Sequence, residues 1–155
     1  MVGVGAKGND GVAAYIKKSK GAIGYTELAY ALQNKMPQAK VKNKSGNFVT
    51  PEIAAISAAA AGSIPEDTRV TLTNTDALKG YPIASFTWII LFKEQNYNGR
   101  SKEQARATVK LISWMISEGQ KFTTPLDYAP LPATAQQKAL LQLKKVTYNG
   151  TPLLN

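Results

Sequence analysis

Ser85-Phe86-Thr87-Trp88-Ile89-Ile90-Leu91-Phe92-Lys93 is β-branched and aromatic with almost no polar interruption. A strand with one wet face alternates apolar and polar residues; an unbroken apolar run of this length is the pattern of a strand buried on both faces. Double burial predicts an α/β architecture, with helices covering both sides of a sheet. Such a strand needs neighbours on both edges to satisfy its N–H and C=O groups. Within the chain only the weak segments 22–25 and 69–72 are candidates, so the partner strands are expected either there or on polypeptide that this chain does not contain.

C-terminal to the strand, Ser101-Lys102-Glu103-Gln104 reads as a capping box opening a helix with Ala105, Val109, Ile112 and Met115 on one stripe and Gly119 as its stop. Thr134-Ala135-Gln136-Gln137 predicts the same device before Leu140 and Leu143, and residues 147–152 predict a turn near a last short strand. N-terminal to it, Gly80-Tyr81-Pro82 punctuates the chain. Thr50-Pro51-Glu52 predicts a helix capped by Thr50 with Pro51 in its first turn. That helix runs through Ile53, Ile56 and Ala60 to Gly62, and its alanines at 58–61 predict close packing against a neighbour. Residues 37–47 are basic and polar and predict a loop or a marginal strand pair around Val41 and Phe48. A helix from Leu28 to about Lys35 is ended by Pro37. Ala22-Ile23-Gly24-Tyr25 predicts a short strand whose interior glycine marks close backbone approach or a crossing between layers. Helices outnumber strands throughout.

At the start of the chain, Gly3-Val4-Gly5-Ala6-Lys7-Gly8-Asn9-Asp10-Gly11 opens into a helical pattern that runs to about Lys18, with Val12, Ala13 and Ile16 on one face. Asn9 is the expected cap and Gly21 the stop. Glycines allow close backbone approach, and a helix start leaves N–H groups that favour negative charge, so the turn reads as anion-facing. Its first six residues formally match the dinucleotide fingerprint GxGxxG. That fingerprint requires a preceding strand and an acidic residue about 20 residues further on at the end of a second strand. No strand leads into this turn, and no Gly-Lys-Ser/Thr completes a phosphate-cradling loop of the nucleotide-hydrolase type.

Composition narrows the function classes. A chain of 155 residues with 44% hydrophobic content fits one domain with a real core. It contains neither cysteine nor histidine, which excludes thiol catalysis, disulfides, Ser-His triads and the usual zinc sites. The acidic residues are dispersed, with Glu66-Asp67 the sole adjacent pair, so no catalytic carboxylate pair is expected, no cofactor and no enzyme. Nineteen basic against 10 acidic residues give a net charge of +9 and imply an anionic partner or surface. The lysines fall singly or in the short clusters 17–20, 40–44 and 144–145, as solvated faces do. A small basic protein that binds nucleic acid or another polyanion is the alternative reading. The aromatics Phe86, Trp88 and Phe92 argue for core packing rather than base stacking, because the strand has no basic residue before Lys93. Met1 is followed at once by the glycine-rich turn, so no signal peptide is expected in this chain, and the apolar run 86–92 is too short to span a bilayer.

Gly8-Asn9-Asp10-Gly11-Val12-Ala13-Ala14-Tyr15, Gly21-Ala22-Ile23-Gly24-Tyr25 and Ala29-Tyr30-Ala31 together resemble the periplasmic phosphate-binding protein of bacterial phosphate ABC transporters. Tyr81-Pro82-Ile83 leading into Thr87-Trp88, the helix around Trp114, and Leu126-Asp127-Tyr128-Ala129-Pro130-Leu131-Pro132 resemble later segments of the same family in the same order. The resemblance implies part of a two-lobed type II periplasmic-binding-protein fold, helix-rich with few strands, in a non-enzymatic protein of the periplasm. By it, residues 1–23 belong to the end of the second lobe and residues 24–155 to the C-terminal part of the first, with Gly24 and Tyr25 as the hinge between them. The family's principal phosphate contacts come from segments upstream of the glycine turn and have no counterpart here. Lys7, Gly8 and Asn9 are then expected at the edge of the phosphate cleft, and the chain alone is expected not to bind phosphate tightly. The implied partners are inorganic phosphate together with the missing N-terminal half, the membrane permease of the transporter, and a complementary N-terminal polypeptide or a second copy of the chain. Nucleic acid is not among them.

Overall fold

In the computed structural model, which describes residues 3–154, the glycine turn runs directly into α1 (Gly8–Lys18). Gly21, at φ 80°, adopts the left-handed geometry that ends the turn after this helix. The chain passes through residues 22–26 without regular structure and enters α2 (Leu28–Gln33), which stops short of the expected Lys35 because Asn34 and Lys35 turn the chain. Val41–Lys42 (β1) and Phe48–Val49 (β2) form the expected antiparallel pair, with Val41 opposite Val49 and Lys42 opposite Phe48. The third helix, α3 (Ile53–Ala59), begins two residues later than a Thr50 cap requires. Glu52 holds the cap position in extended geometry without a side-chain hydrogen bond. Met1, Val2 and Asn155, which bound the expected lobes and carry the leader reading, lie outside the described residues.

The alanine run packs as expected. Ala59 and Ala60 are buried with Leu72 and Ala84, and Ile56, Val70 and Phe86 close over them. Gly80 lies against this layer so tightly that a Cβ there would stand 2.9 Å from the Ala77 Cβ and 3.2 Å from the Ala59 Cα.

A second core forms around α4 (Lys102–Ile116). Its capping box is present in full: Gln104 N–H donates to Ser101 Oγ at 3.2 Å, and Ser101 N–H donates to Gln104 Oε1 at 2.9 Å. Ala105, Val109 and Ile112 face inward against Leu143 of α5 (Ala133–Leu143), Val146 and Leu153. Met115, expected on that stripe, is exposed, and Ile116 packs inward instead. The helix ends at Ser117, ahead of Gly119, which sits in a short 3-10 turn where a Cβ would stand 3.0 Å from the Trp114 carbonyl oxygen and 3.2 Å from its ring. Thr134 does not cap α5. Pro132 occupies the cap position, and Gln136 Nε2 reaches back to the Leu131 carbonyl at 2.8 Å. The chain closes in a hairpin of β3 (Thr147–Tyr148) and β4 (Thr151–Pro152), turned by Asn149 and Gly150 at φ 50° and 73°.

Residues 85–93 depart furthest from expectation. They form no strand: no backbone hydrogen bond joins residues 84–92 to another segment among the described residues, and Trp88, Ile89, Ile90 and Phe92 are exposed instead of buried on both faces. Residues 22–25 and 69–72 are likewise unpaired, and Ile23 and Tyr25 are almost fully exposed. Burial of a strand is a property of its neighbours: Val70 and Leu72 pack beside Ala84 and Phe86 through side chains without forming a ladder. Only the end of the run is paired through its backbone: Thr147 N–H donates to the Lys93 carbonyl and Gln95 N–H donates to the Thr147 carbonyl, both at 2.8 Å, giving a single parallel bridge at Glu94.

Candidate functional site

The anion-facing reading centres on the first turn of α1. Lys7 holds the cap position in extended geometry and its side chain caps nothing. Gly8 has φ 69°, and a Cβ on it would stand 2.7 Å from Asp10 Oδ1. The Asp10 carboxylate thus folds back over the start of the helix and itself supplies negative charge to the positive end of the dipole. Lys7 and Gly8 are exposed and border this turn.

Asn9 does not cap its own helix. Its Oδ1 accepts the Thr26 hydroxyl at 3.0 Å and the Glu27 N–H at 3.3 Å, joining the first turn of α1 to the cap of α2. On the outer side of that junction Tyr128 donates its hydroxyl to Glu27 Oε2 at 2.7 Å. This hydrogen bond, with a smaller part from burial, pushes the Tyr128 phenol up to about 12. Three segments far apart in sequence therefore meet at one polar junction: 7–10, 26–27 and 128.

Gly24 lies beneath α1, and a Cβ there would stand 2.6 Å from Ile16 Cδ1 and 3.4 Å from Val12 Cγ1. The close approach expected of this glycine is thus present, made by the apolar face of α1. Tyr25 points to solvent. Lys7, Gly8, Asn9, Gly24 and Tyr25 all flank α1, but none lines either of two open depressions on the surface. One, of about 490 Å³, lies between Leu28 and Leu32 of α2 and Pro51 and Ile53 at the start of α3; the other, of about 530 Å³, lies beside the alanine run.

Polar hubs away from the turn escape a reading of the sequence by motif. Asn43 is buried, donates through Nδ2 to the carbonyls of Leu78 at 3.0 Å and Gly80 at 3.2 Å, and accepts Asn47 N–H at 3.0 Å. Glu94 accepts the N–H groups of Asn96, Asn149 and Gly150 and the Thr147 hydroxyl at 2.9 to 3.1 Å. These hydrogen bonds, led by the one from Asn96, hold its carboxyl down at about 2. Gln95 is fully buried and accepts from Arg100 at 2.7 Å. An Asn after an alternating Lys run, and a Glu-Gln pair at the end of an apolar run, are the signals that could have marked them. All three serve the scaffold. Among the described residues no group of three or more His, Cys, Asp or Glu side chains could hold a metal ion, and no helix is long and apolar enough to cross a membrane.

A family profile described as PBP superfamily domain matches residues 1–119. The phosphate-binding protein PstS of Xylella fastidiosa is 39% identical over 133 residues, covering 84% of this chain and 35% of the relative. That of Pasteurella multocida is 39% identical over 145 residues, covering 92% and 41%. That of the archaeon Methanocaldococcus jannaschii is 36% identical over 128 residues, covering 77% and 33%. The chain thus spans between 33% and 41% of the length of these relatives.

Proposed function

The chain belongs to the PBP superfamily, and from that membership we propose that it is the C-terminal part of the phosphate-binding component of an ABC-type uptake system, working in the periplasm and delivering phosphate to a membrane permease without catalysing a reaction. The observation that carries this reading is the 39% identity over 84% of the chain to a protein named for phosphate binding. The polyanion-binding alternative draws no such support, and no lysine lines either of the two depressions.

In this reading residues 1–23 end the second lobe, residues 24–155 complete the first, and Gly24 and Tyr25 form the crossing between them. Lys7, Gly8 and Asn9 stand at the cleft edge. Their part is to fix the geometry of the turn: Asn9 ties it to Thr26 and Glu27, and Asp10 already occupies the start of the helix. An incoming anion would have to compete with that carboxylate, so the primary phosphate ligands belong to the part of the fold outside this chain. Isothermal titration of inorganic phosphate into the chain alone is expected to show no tight binding. Affinity in the micromolar range or better would overturn the division of labour proposed here.

A further inference from the structure

We propose that Asn98 is a site of spontaneous covalent modification, through attack of the Gly99 backbone nitrogen on its side-chain amide, and that Asn149, in a matching turn, is shielded from the same reaction by the Glu94 carboxylate.

The tripeptide Tyr-Asn-Gly occurs at residues 97–99 and again at 148–150, and these hold the two Asn-Gly pairs of the chain. Both pairs turn the backbone in the same way: φ is 51° and 70° at Asn98 and Gly99, and 50° and 73° at Asn149 and Gly150. The flanking residues close each turn. Arg100 N–H donates to the Tyr97 carbonyl at 3.0 Å in the first, and Tyr148 pairs with Thr151 in the second. Local sequence and backbone geometry are thus matched, and what separates the two turns is their surroundings.

Glycine after asparagine leaves the backbone nitrogen unhindered by a side chain. Once that nitrogen gives up its proton to a base in solution, it attacks the asparagine Cγ. The new N–C bond closes a five-membered imide, the C–N bond of the side-chain amide breaks, and the amide nitrogen leaves as ammonia with a proton taken from water. Water then adds to either ring carbonyl and opens the imide to aspartate or isoaspartate. The balance is one water in and one ammonia out, with nothing oxidised or reduced.

At the second turn the nucleophile is occupied. Gly150 N–H donates to Glu94 Oε2 at 3.1 Å and Asn149 N–H to Glu94 Oε1 at 2.9 Å, while the Asn149 side-chain oxygen accepts from Asn96 Nδ2. Taking the proton from an N–H that faces a carboxylate sets two negative charges together and gives up a charge-assisted hydrogen bond. At the first turn Asn98 and Gly99 are both exposed, and among the described residues no group accepts the Gly99 N–H or holds the Asn98 amide. Modification there falls on the turn that presents Arg100, whose guanidinium donates to Gln95 Oε1 at 2.7 Å and whose carbonyl accepts the Tyr148 hydroxyl at 2.9 Å. An isoaspartate lengthens the backbone of that turn by one carbon.

The test incubates the folded chain in mildly alkaline buffer, and a parallel sample in urea, then maps both peptides by mass spectrometry for the one-dalton gain and for isoaspartate. In urea the two sites are expected to react at similar rates, because Tyr-Asn-Gly is common to both. In the folded chain Asn98 is expected to react about tenfold faster than Asn149, the weight of one charge-assisted hydrogen bond. Glu94→Gln is expected to raise the Asn149 rate toward that of Asn98 while leaving Asn98 unchanged. Thr147→Val removes a different partner of the same carboxylate and is expected to leave Asn149 shielded. Equal rates at the two sites in the folded chain, an Asn98 as inert as Asn149, an Asn149 that stays slow in Glu94→Gln, or a Thr147→Val chain as unshielded as Glu94→Gln would each overturn the proposal.

Discussion

Glu94 shows how much one side chain can hold. Its carboxylate gathers three backbone N–H groups and a hydroxyl from two segments about 50 residues apart, and so clips the C-terminal hairpin to the end of the apolar run. Those hydrogen bonds favour the charged form, lowering the carboxyl from an ordinary 4.5 to about 2. A lowered folded-state value means that the stabilisation is complete above the unfolded value and is lost as pH falls from about 4.5 through about 2. Thermal unfolding of the native chain and of Glu94→Gln should therefore differ at pH 7 and converge near pH 2. Equal separation of the two melting curves across that range would remove the charge from the explanation. At the other end of the molecule, Asn9→Ala takes away the acceptor shared by Thr26 and Glu27. By analogy with lost helix caps the loss should cost about 1 kcal/mol in urea unfolding. No change in the midpoint would show that the junction between α1 and α2 is held by the Gly24 contact alone.

At the scale of elements, local chemistry was legible wherever the deciding partner lies within a few residues. The Ser101 and Gln104 box, the Val41 and Phe48 pair and the Asn149-Gly150 turn are all of this kind, and each formed as its residues dictate. Caps failed where a competing geometry was equally local: Thr50 and Thr134 lose their positions to Glu52 and Pro132. Asn9 was correctly singled out but for the wrong helix, because its partners are 17 and 18 residues away. Gly24 was legible as a close approach because only an absent side chain explains a glycine inside so apolar a segment; which atoms approach it was not. Gly80 is the sharper test of such packing, since backbone atoms of Ala59 and Ala77 crowd it and cannot swing away as the tip of Ile16 can. Gly80→Ala should destabilise by about 2 kcal/mol, the middle of the range for overpacking. Gly62→Ala, with nothing within 4 Å of the added methyl, should stay within about 0.5 kcal/mol of the native value. Equal effects at the two sites in chemical denaturation would contradict the tight layer between α3 and residues 77–84.

For the whole molecule, the run 85–93 was read correctly as the segment that decides the fold class, and incorrectly as buried. The apolar pattern records the surroundings for which a strand is suited, whereas exposure records what surrounds the segment in this chain, and here the two differ because no described segment pairs with residues 84–92 through its backbone. Lys7, Gly8 and Asn9 gather at the start of α1 with Gly24 packed beneath the helix, and the turn is furnished with its own carboxylate from Asp10. The chain spans between 33% and 41% of the length of these relatives, and its described residues keep two small cores, around α3 and around α4 with α5. The most direct measurement of this division is inorganic phosphate binding, by titration calorimetry, to the lone chain and to its stoichiometric mixture with the N-terminal portion of a relative. No heat of tight binding from the lone chain and saturable one-to-one binding from the mixture are predicted; micromolar or tighter binding by the lone chain, or none by a mixture shown to have assembled, would contradict it.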